Sequence, residues 1–518
     1  MKQMLVGDPI KLNSIRYPEK VALSFKGKRF TYRQFNNRVN QLGNALLDRG
    51  IQKGDKVAFM LFNGNELFEI IVACSKIGAM YVPINSRFTA REIKHVLDDS
   101  GAILFMYDYR FGDEVSKIHQ ELLTTKYFVT VGNQDRLSFT IYDEWIERFP
   151  ASEPEIAEPL SELDELCLMY TGGTTGLPKG AIHTHRSLYL VLTHFSIEFS
   201  ISRNGKGLAA GPLFGAAAIS IAMPNLFVGN PIHIVEQFHP LEVLKAIDQE
   251  KTTTAFLAPP MLDAIFALPD EIKNSFDVSS MKSVISVGAP LLTRTKTKAL
   301  EFFPNAELNE FYGASELGGA ANLHHEYMRK KDRCVGLPML GMELKIVDQD
   351  GNEVKQGEVG EILVRGLTLC KGYYHNAQAT NEAFRGEWLG LGDMARQDDE
   401  GFYYLVERKQ DMIISGAFNV YPAEIEAVLH EHPSVREAAV IGVPHDQWGE
   451  VPMAVIALHD DQDVSEREII EYCTGKMAKY KIPHKVEFVK MLPRNLQGKV
   501  LTYTLKEKYG KVNQSNIN

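Results

Sequence analysis

The chain has 518 residues, 45% hydrophobic and 24% charged, which is too long for one compact core and ordinary for a soluble enzyme of two or three domains. Its 56 Lys and Arg stand against 66 Asp and Glu, a formal net charge of −10 that argues against nucleic acid or an anionic membrane as the main partner. Cys74, Cys167, Cys334, Cys370 and Cys473 form no CxxC pair, so neither a disulfide framework nor a zinc ribbon is indicated, and a reducing cytoplasm fits.

The opening MKQMLVGDPIKLNS lacks the long apolar stretch of a secretory signal. VALSF (21–25) and KGKRF (26–30) predict a hairpin. Thr31 then starts a helix: Gln34 completes a capping box, Phe35, Val39, Leu42 and Leu46 share one face, and Gly50 closes it. KVAFMLF (56–62) reads as the next strand, and this alternation favours an α/β fold with parallel sheets covered by helices. No solenoid-period repeat or low-complexity tract interrupts the chain.

After an acidic stretch (153–165), the run LCLMY (166–170) predicts a strand that leads into YTGGTTGLPKG (170–180). Glycines free backbone N–H groups to wrap phosphate oxygens, and threonine hydroxyls and a lysine add donors and charge. The alternative is a mobile surface turn. Leu177 and Pro178 separate Gly176 from Lys179, so the Walker spacing fails and a P-loop NTPase is excluded. From 207 to 235 no Asp, Glu, Lys or Arg occurs. Interrupting prolines and glycines and the lack of a positive flank favour a buried pocket wall over a membrane span. Within this run Gly215 and the alanines at 216–218 either open volume for an apolar ligand or pack a helix tightly.

GASELG (313–318) is one residue too long for a GxSxG elbow, and no HExxH occurs. His183, His185, His324 and His325 lack partners at metal-ligand spacing and read as satisfied or solvent-facing. GFYYLVERKQDMIISG (401–416) reads as a hairpin with polar ERKQD at its middle, and a fresh αβ pattern from YPAEIEAVLHEH (421–432) marks a late domain boundary. Residues 476–511 carry ten Lys or Arg and two acids, either a solvated face or a surface that meets polyphosphate.

YTGGTTGLPKG resembles the phosphate loop of the adenylate-forming acyl-CoA synthetase superfamily. The resemblance continues in order through SVGAPL (286–291), FYGASE (311–316), GEILVRG (360–366), WLGLGDMARQDDEGF (388–402), ERKQDMIISGAFNVYPAEIE (407–426), GVPHDQWGE (442–450) and PRNLQGKVL (493–501). It implies a large multi-subdomain α/β domain (1–407), a hinge (408–410) pivoting at Gln410, and a small mobile α+β domain (411–518). It also implies ATP, Mg²⁺ and coenzyme A as reactants and cofactor.

The site residues follow motif by motif. Lys499 resembles the adenylation lysine that reaches the carboxylate and α-phosphate, and Glu316 the Mg²⁺ carboxylate. Thr171, Gly172, Gly173, Thr174, Thr175, Gly176 and Lys179 fall in the polyphosphate loop. Tyr312 matches the residue that stacks on adenine, opposite the backbone of Gly288, Ala289 and Pro290, and Gly313, Ala314 and Ser315 complete that nucleotide motif. Asp393, with Arg408 beside it, matches the group that takes both ribose hydroxyls. Ser415, Gly416 and Ala417 face the pantetheine arm of CoA, and Phe214, Gly215 and Ala218 are candidates for the acyl pocket.

Five positions depart from the pattern. Gly172 stands for a usual Ser, Leu391 for Thr, Glu407 for Gly or Asp, and Gln410 for Asp or Lys. Gly215 stands where many relatives have His and amino-acid-activating domains have Asp; it offers no partner to an α-ammonium group, which counts against amino-acid activation. The implied activity is an acid–CoA ligase for a medium- or long-chain fatty acid, with adenylation followed by thiolysis. An aryl acid, a carrier-protein phosphopantetheine as acceptor, and a non-catalytic acyl or nucleotide sensor are the alternatives. The expected partners are small molecules, with no nucleic acid and no integral membrane association; a homodimer is compatible.

Overall fold

The N-terminal hairpin forms between β1 (Val21–Phe25) and β2 (Lys28–Thr31), and Thr31 caps the helix Tyr32–Asp48. Thr31 Oγ1 accepts from Gln34 N at 3.2 Å and Gln34 Oε1 accepts from Thr31 N at 2.9 Å, so both orphan donors of the capping box are satisfied. Phe35, Val39, Leu42 and Leu46 are all buried, as their helical spacing requires. This computed structural model describes residues 3–132, 139–171, 178–408, 411–415, 418–445, 448–460, 462–474, 476–477, 479–494 and 500–510. Packing divides the chain into a first unit, 1–343 with 364–389, and a second, 344–363 with 390–518.

Two sheets build the first unit. β3 (Lys56–Met60), β4 (Met80–Pro83), β5 (Leu104–Asp108), β6 (Tyr127–Val131), β7 (Thr140–Ile141), β8 (Glu165–Thr171) and β9 (Lys179–Thr184) lie in the order β7-β6-β5-β3-β4-β8-β9. Every neighbouring pair is parallel except β8 with β9. The strand expected at 166–170 is thus β8. β10 (Gly207–Ala209), β11 (Ile232–Ile234), β12 (Thr254–Phe256), β13 (Ser283–Ser286), β14 (Glu307–Ala314), β15 (Gly318–Leu323) and β16 (Leu337–Pro338) join the hairpin in the order β16-β15-β14-β13-β12-β10-β11-β1-β2. Its interior from β14 to β1 is parallel, with antiparallel pairs only toward the edges. Near-continuous apolar strands suit such sheets because helices cover both faces.

The charge-free run 207–235 becomes β10, the helix Ala216–Val228 and β11. Ile219, Ile221, Met223 and Leu226 of that helix are buried, and no helix among the described residues is long and apolar enough to cross a membrane.

β17 (Met342–Val347), β18 (Gly360–Gly366), β19 (Phe384–Arg385), β20 (Trp388–Gln397) and β21 (Tyr403–Arg408) form a five-stranded sheet ordered β17-β18-β20-β19, with β21 also on β20. β22 (Ile413–Ser415), β23 (Phe418–Val420), β24 (Val435–His445), β25 (Gly449–Leu458) and β26 (Lys485–Phe488) form another, ordered β23-β22-β25-β24 with β26 on β25. The hairpin expected across 401–416 is corrected here. β21 pairs backward with β20 around Gly401, while β22 pairs with β23 and β25. Ile413 packs in one cluster with Val420, Ile425 and Leu429, while Glu407 and Arg408 still belong to β21 and pair with β20, so the polar stretch does not turn one hairpin.

A buried ion pair ties the helix Tyr32–Asp48 to the helix Asn65–Ile77. Glu69, fully buried, accepts from Arg38 Nε at 2.7 Å, Arg38 Nη2 at 3.1 Å, Asn65 Nδ2 at 2.8 Å and Tyr142 OH at 2.8 Å. Removing the guanidinium leaves a desolvated carboxylate without its cation, which typically costs about 3–5 kcal/mol. Arg38→Ala should therefore lower the stability of the first unit by about that amount in urea unfolding, and Arg38→Ala with Glu69→Ala together should cost less than the sum of the two single changes. Additive losses would contradict the pairing.

Candidate functional site

The C-terminal ends of parallel strands are where open α/β sheets bind ligands. Residues 288–290 follow β13, and Tyr312, Gly313 and Ala314 close the parallel β14 beside it. Gly288 has φ +97°, a left-handed conformation that L side chains rarely adopt. A Cβ on Gly313 would lie 2.2 Å from Gly318 O, so the tight return from β14 into β15 admits no side chain there. Tyr312 is 7% exposed at this end. Thus Gly288, Ala289, Pro290, Tyr312, Gly313, Ala314, Ser315 and Glu316 are brought to one end of the nine-stranded sheet.

Glu316 connects that sheet to the other one. Thr171, the last residue of β8, donates its hydroxyl to Glu316 Oε1 at 3.2 Å, and Tyr373 OH donates to the same oxygen at 2.9 Å. The carboxylate is 7% exposed, and its backbone carbonyl accepts from Cys370 N at 2.8 Å. Tyr373 is held in turn. Residues 371–374 run along β9, with Lys371 N donating to Ile182 O at 2.8 Å, Ile182 N to Gly372 O at 2.9 Å and Tyr374 N to Gly180 O at 2.8 Å. Lys179 Nζ sits 5.7 Å from the centroid of the Tyr373 ring. Tyr373 was not among the residues expected from sequence. Its only sequence signal is the run KGYYHN (371–376), and a partner 57 residues away cannot be read from spacing.

Behind Glu316, His183 on β9 donates Nε2–H to Ser315 O at 2.7 Å and accepts from Ser187 Oγ at 3.3 Å. That pairing sets the tautomer, and burial pushes the ring down to about 4, the Ser315 contact opposing. His183 is therefore the satisfied, neutral histidine expected, and it fixes the carbonyl next to Glu316. Burial also lowers His185 to about 4, with Asp164 opposing; its Nδ1 accepts from Val6 N at 3.3 Å.

The candidate acyl residues cluster after β10. Asn63, buried, donates to Gly211 O at 2.8 Å and Val235 O at 2.9 Å and accepts from Leu213 N at 3.0 Å, which shapes the turn carrying Phe214 and Gly215. Gly215 has φ −88° at the start of the helix Ala216–Val228, and a Cβ there would meet only Pro212 O, at 3.3 Å. Phe214 is 9% exposed. Ala218 has a packing role: a Cβ on Gly211 would come within 3.2 Å of its methyl and 2.6 Å of Phe256.

In the second unit Asp393 on β20 is paired across strands with Arg408 on β21. Ser415 ends β22 and is 6% exposed. Asp411, just before β22, accepts from Lys506 Nζ at 3.1 Å. Gly172, Gly173, Thr174, Thr175, Gly176, Gln410, Gly416, Ala417 and Lys499 lie outside the described residues.

The chemistry available is hard-oxygen and backbone chemistry. A carboxylate with two hydroxyl partners, one of them from the residue that ends β8, suits a hard cation shared with phosphate oxygens. All five cysteines are free and buried, and burial raises the thiols of Cys74, Cys167, Cys370 and Cys473, which removes them as ready nucleophiles.

Residues 12–374 match the model of an AMP-binding enzyme, and residues 424–499 that of an AMP-binding enzyme C-terminal domain. The chain is 34% identical over 500 residues to a feruloyl-CoA synthase of an Amycolatopsis species, covering 95% of this chain and 96% of that one. It is 33% identical over 485 residues to the long-chain-fatty-acid–CoA ligase FadD13 of Mycobacterium tuberculosis, covering 93% of each. Among solved structures it is similar to the anthranilate CoA ligase AuaEII in complex with anthranoyl-AMP, with a TM-score of 0.89, 29% identity and 97% of each chain covered.

The neutral buried histidine generates a pH prediction. In the unfolded chain His183 takes a proton near 6.5, but in the fold only near 4, so stability falls as pH drops from 6.5 toward 4. His183→Gln, whose amide can still donate to Ser315 O, should flatten the dependence of melting temperature on pH between pH 6.5 and 5. An unchanged slope would contradict the neutral, buried ring.

Proposed function

The chain belongs to the AMP-binding enzyme family, within the adenylate-forming acyl-CoA synthetase superfamily, and on that premise we propose that it is an ATP-dependent ligase joining an apolar carboxylic acid to CoA. A carboxylate is a poor acylating agent. Its oxygen attacks the α-phosphorus of ATP and expels pyrophosphate; the CoA thiol then attacks the acyl carbonyl and expels AMP. The observation that carries the reading is the junction at Glu316, where Thr171 at the end of β8 and Tyr373 beside β9 both donate to the carboxylate that follows β14.

Charge grows on the phosphoryl oxygens during adenylation, so fixed donors and cations aimed there act on the transition state. Glu316, with Thr171 beside it, would hold Mg²⁺, which when bound would neutralise phosphate charge. The loop at 171–176 and Lys179 would orient the polyphosphate. Residues 288–290 and Tyr312 would hold adenine, and Asp393 with Arg408 the ribose. Lys499 would reach the α-phosphate and Ser415 to Ala417 the pantetheine arm. A pivot at Gln410 between 1–407 and 411–518 would let Lys499 withdraw before the thiol arrives, because the two steps need the same face.

For the acid, a medium- or long-chain fatty acid is the reading favoured by the charge-free segment 207–235 and by the absence of a side chain at Gly215. No carboxylate stands at 215 to receive an α-ammonium group. An aryl acid is the second reading, supported by the 34% identity to a feruloyl-CoA synthase. Free, buried cysteines accord with a cytoplasmic location.

Acid-dependent pyrophosphate release across alkyl acids of graded length and aryl acids separates the two readings. With the fatty-acid reading, longer alkyl acids should lead, and Gly215→Phe should move the preference toward shorter ones with little change in the apparent affinity for ATP. Each lost methylene contact is worth about 0.8 kcal/mol, so losing several changes selectivity by orders of magnitude. Cinnamate- or benzoate-type acids exceeding every alkyl acid would reject it, and an unchanged profile in Gly215→Phe would place the pocket elsewhere.

A further inference from the structure

Glu310 is a buried carboxylate that none of the expected roles uses. It lies on β14 and is 6% exposed. Oε1 accepts from Leu291 N at 2.9 Å, and Oε2 has no hydrogen-bond partner among the described residues. Leu291 is the residue immediately after 288–290, so one side-chain oxygen anchors the exit of the segment read as the adenine loop. Gly288 lets that segment turn at φ +97°, and the Glu310 contact fixes where it goes next.

The surroundings make this anchor sensitive to its own charge. Ser286 on β13 and Leu323 on β15, the positions paired with Glu310, bring no charge. From the helix Thr293–Phe302 comes Lys296, whose Nζ is itself bonded to Lys331 O at 2.8 Å and Asp332 Oδ1 at 2.7 Å. Burial pushes the Glu310 carboxyl up to about 7; Leu291 N–H, Lys296 and Arg333 oppose the rise and Asp332 adds to it. Near neutral pH the acceptor therefore passes between an anion, which binds an N–H strongly, and a neutral acid, which binds it weakly.

We propose that Glu310 is a positioning residue for the nucleotide: through Leu291 N–H it sets the segment 288–290, and its protonation weakens ATP binding more than it slows the chemical step. The proposal rests on reading 288–290 as the adenine loop.

Steady-state kinetics from pH 6 to 8 test it. Glu310→Leu, which leaves Leu291 N–H without an acceptor, should raise the KM for ATP about tenfold, the effect of one lost hydrogen bond, while kcat and the KM for the acid move far less. Glu310→Gln keeps a carbonyl acceptor without a titrating proton. In the wild type the KM for ATP should rise several-fold as pH falls from 8 to 6, beyond what ATP's own ionisation imposes, and in Glu310→Gln that excess should vanish. Wild-type KM for ATP in folded Glu310→Leu, or the full wild-type pH dependence in Glu310→Gln, would overturn the assignment. Ala289→Trp separates the two failures: if it raises the KM for ATP and Glu310→Leu does not, Glu310 falls and the loop reading stands; if neither does, both fall.

Discussion

A carboxylate that is nearly buried must find donors, and the first unit is organised around how Glu316 finds its own. The Thr171 hydroxyl comes from the end of β8 in one sheet, the carboxylate from the return of β14 in the other, and the Tyr373 hydroxyl from a segment hydrogen-bonded along β9. Three stretches far apart in sequence thereby share one oxygen. Moving any of them would leave a polar group unpaired, which costs about 1–3 kcal/mol and more for an ion. That constraint holds the end of β8 against a hard oxygen donor.

Around this point the rigid parts are backbone and the tunable parts are side chains. Gly313 is excluded from carrying a side chain by Gly318 O at 2.2 Å, and His183 holds Ser315 O from a neutral ring at the back. Glu310 does for the segment 288–290 what His183 does for 315, but with a group whose charge is balanced near neutrality. Pre-organised donors are useful because they need not reorganise when charge develops on a phosphoryl group. In the second unit Asp393 and Arg408 are set opposite each other by strand register alone.

Local features were the most legible in the sequence. The capping box at Thr31 and Gln34, the buried face of Phe35, Val39, Leu42 and Leu46, and the strand ahead of the glycine-rich loop are all present where periodicity and cap chemistry put them. The run 401–416 does not form one hairpin, because strand propensity does not say which strand a segment pairs with; β21 and β22 belong to different sheets. Tyr373, Asn63 and Glu310 were invisible for a related reason. Each acts through a contact made only after folding, across 57, 148 and 19 residues, and none belongs to a catalytic spacing pattern. Contacts of this kind, which hold a strand end or a turn in place, exist only once the chain has folded.

In an adenylate-forming reaction the acid's own oxygen attacks the α-phosphorus. Incubating the enzyme with ATP, CoA and a carboxylic acid labelled with ¹⁸O in both carboxylate oxygens, then analysing the nucleotide by mass spectrometry, tests it directly. AMP should carry one ¹⁸O, formed in step with acyl-CoA and pyrophosphate. Unlabelled ADP with ¹⁸O in inorganic phosphate would mean attack at the γ-phosphorus and would contradict an adenylate.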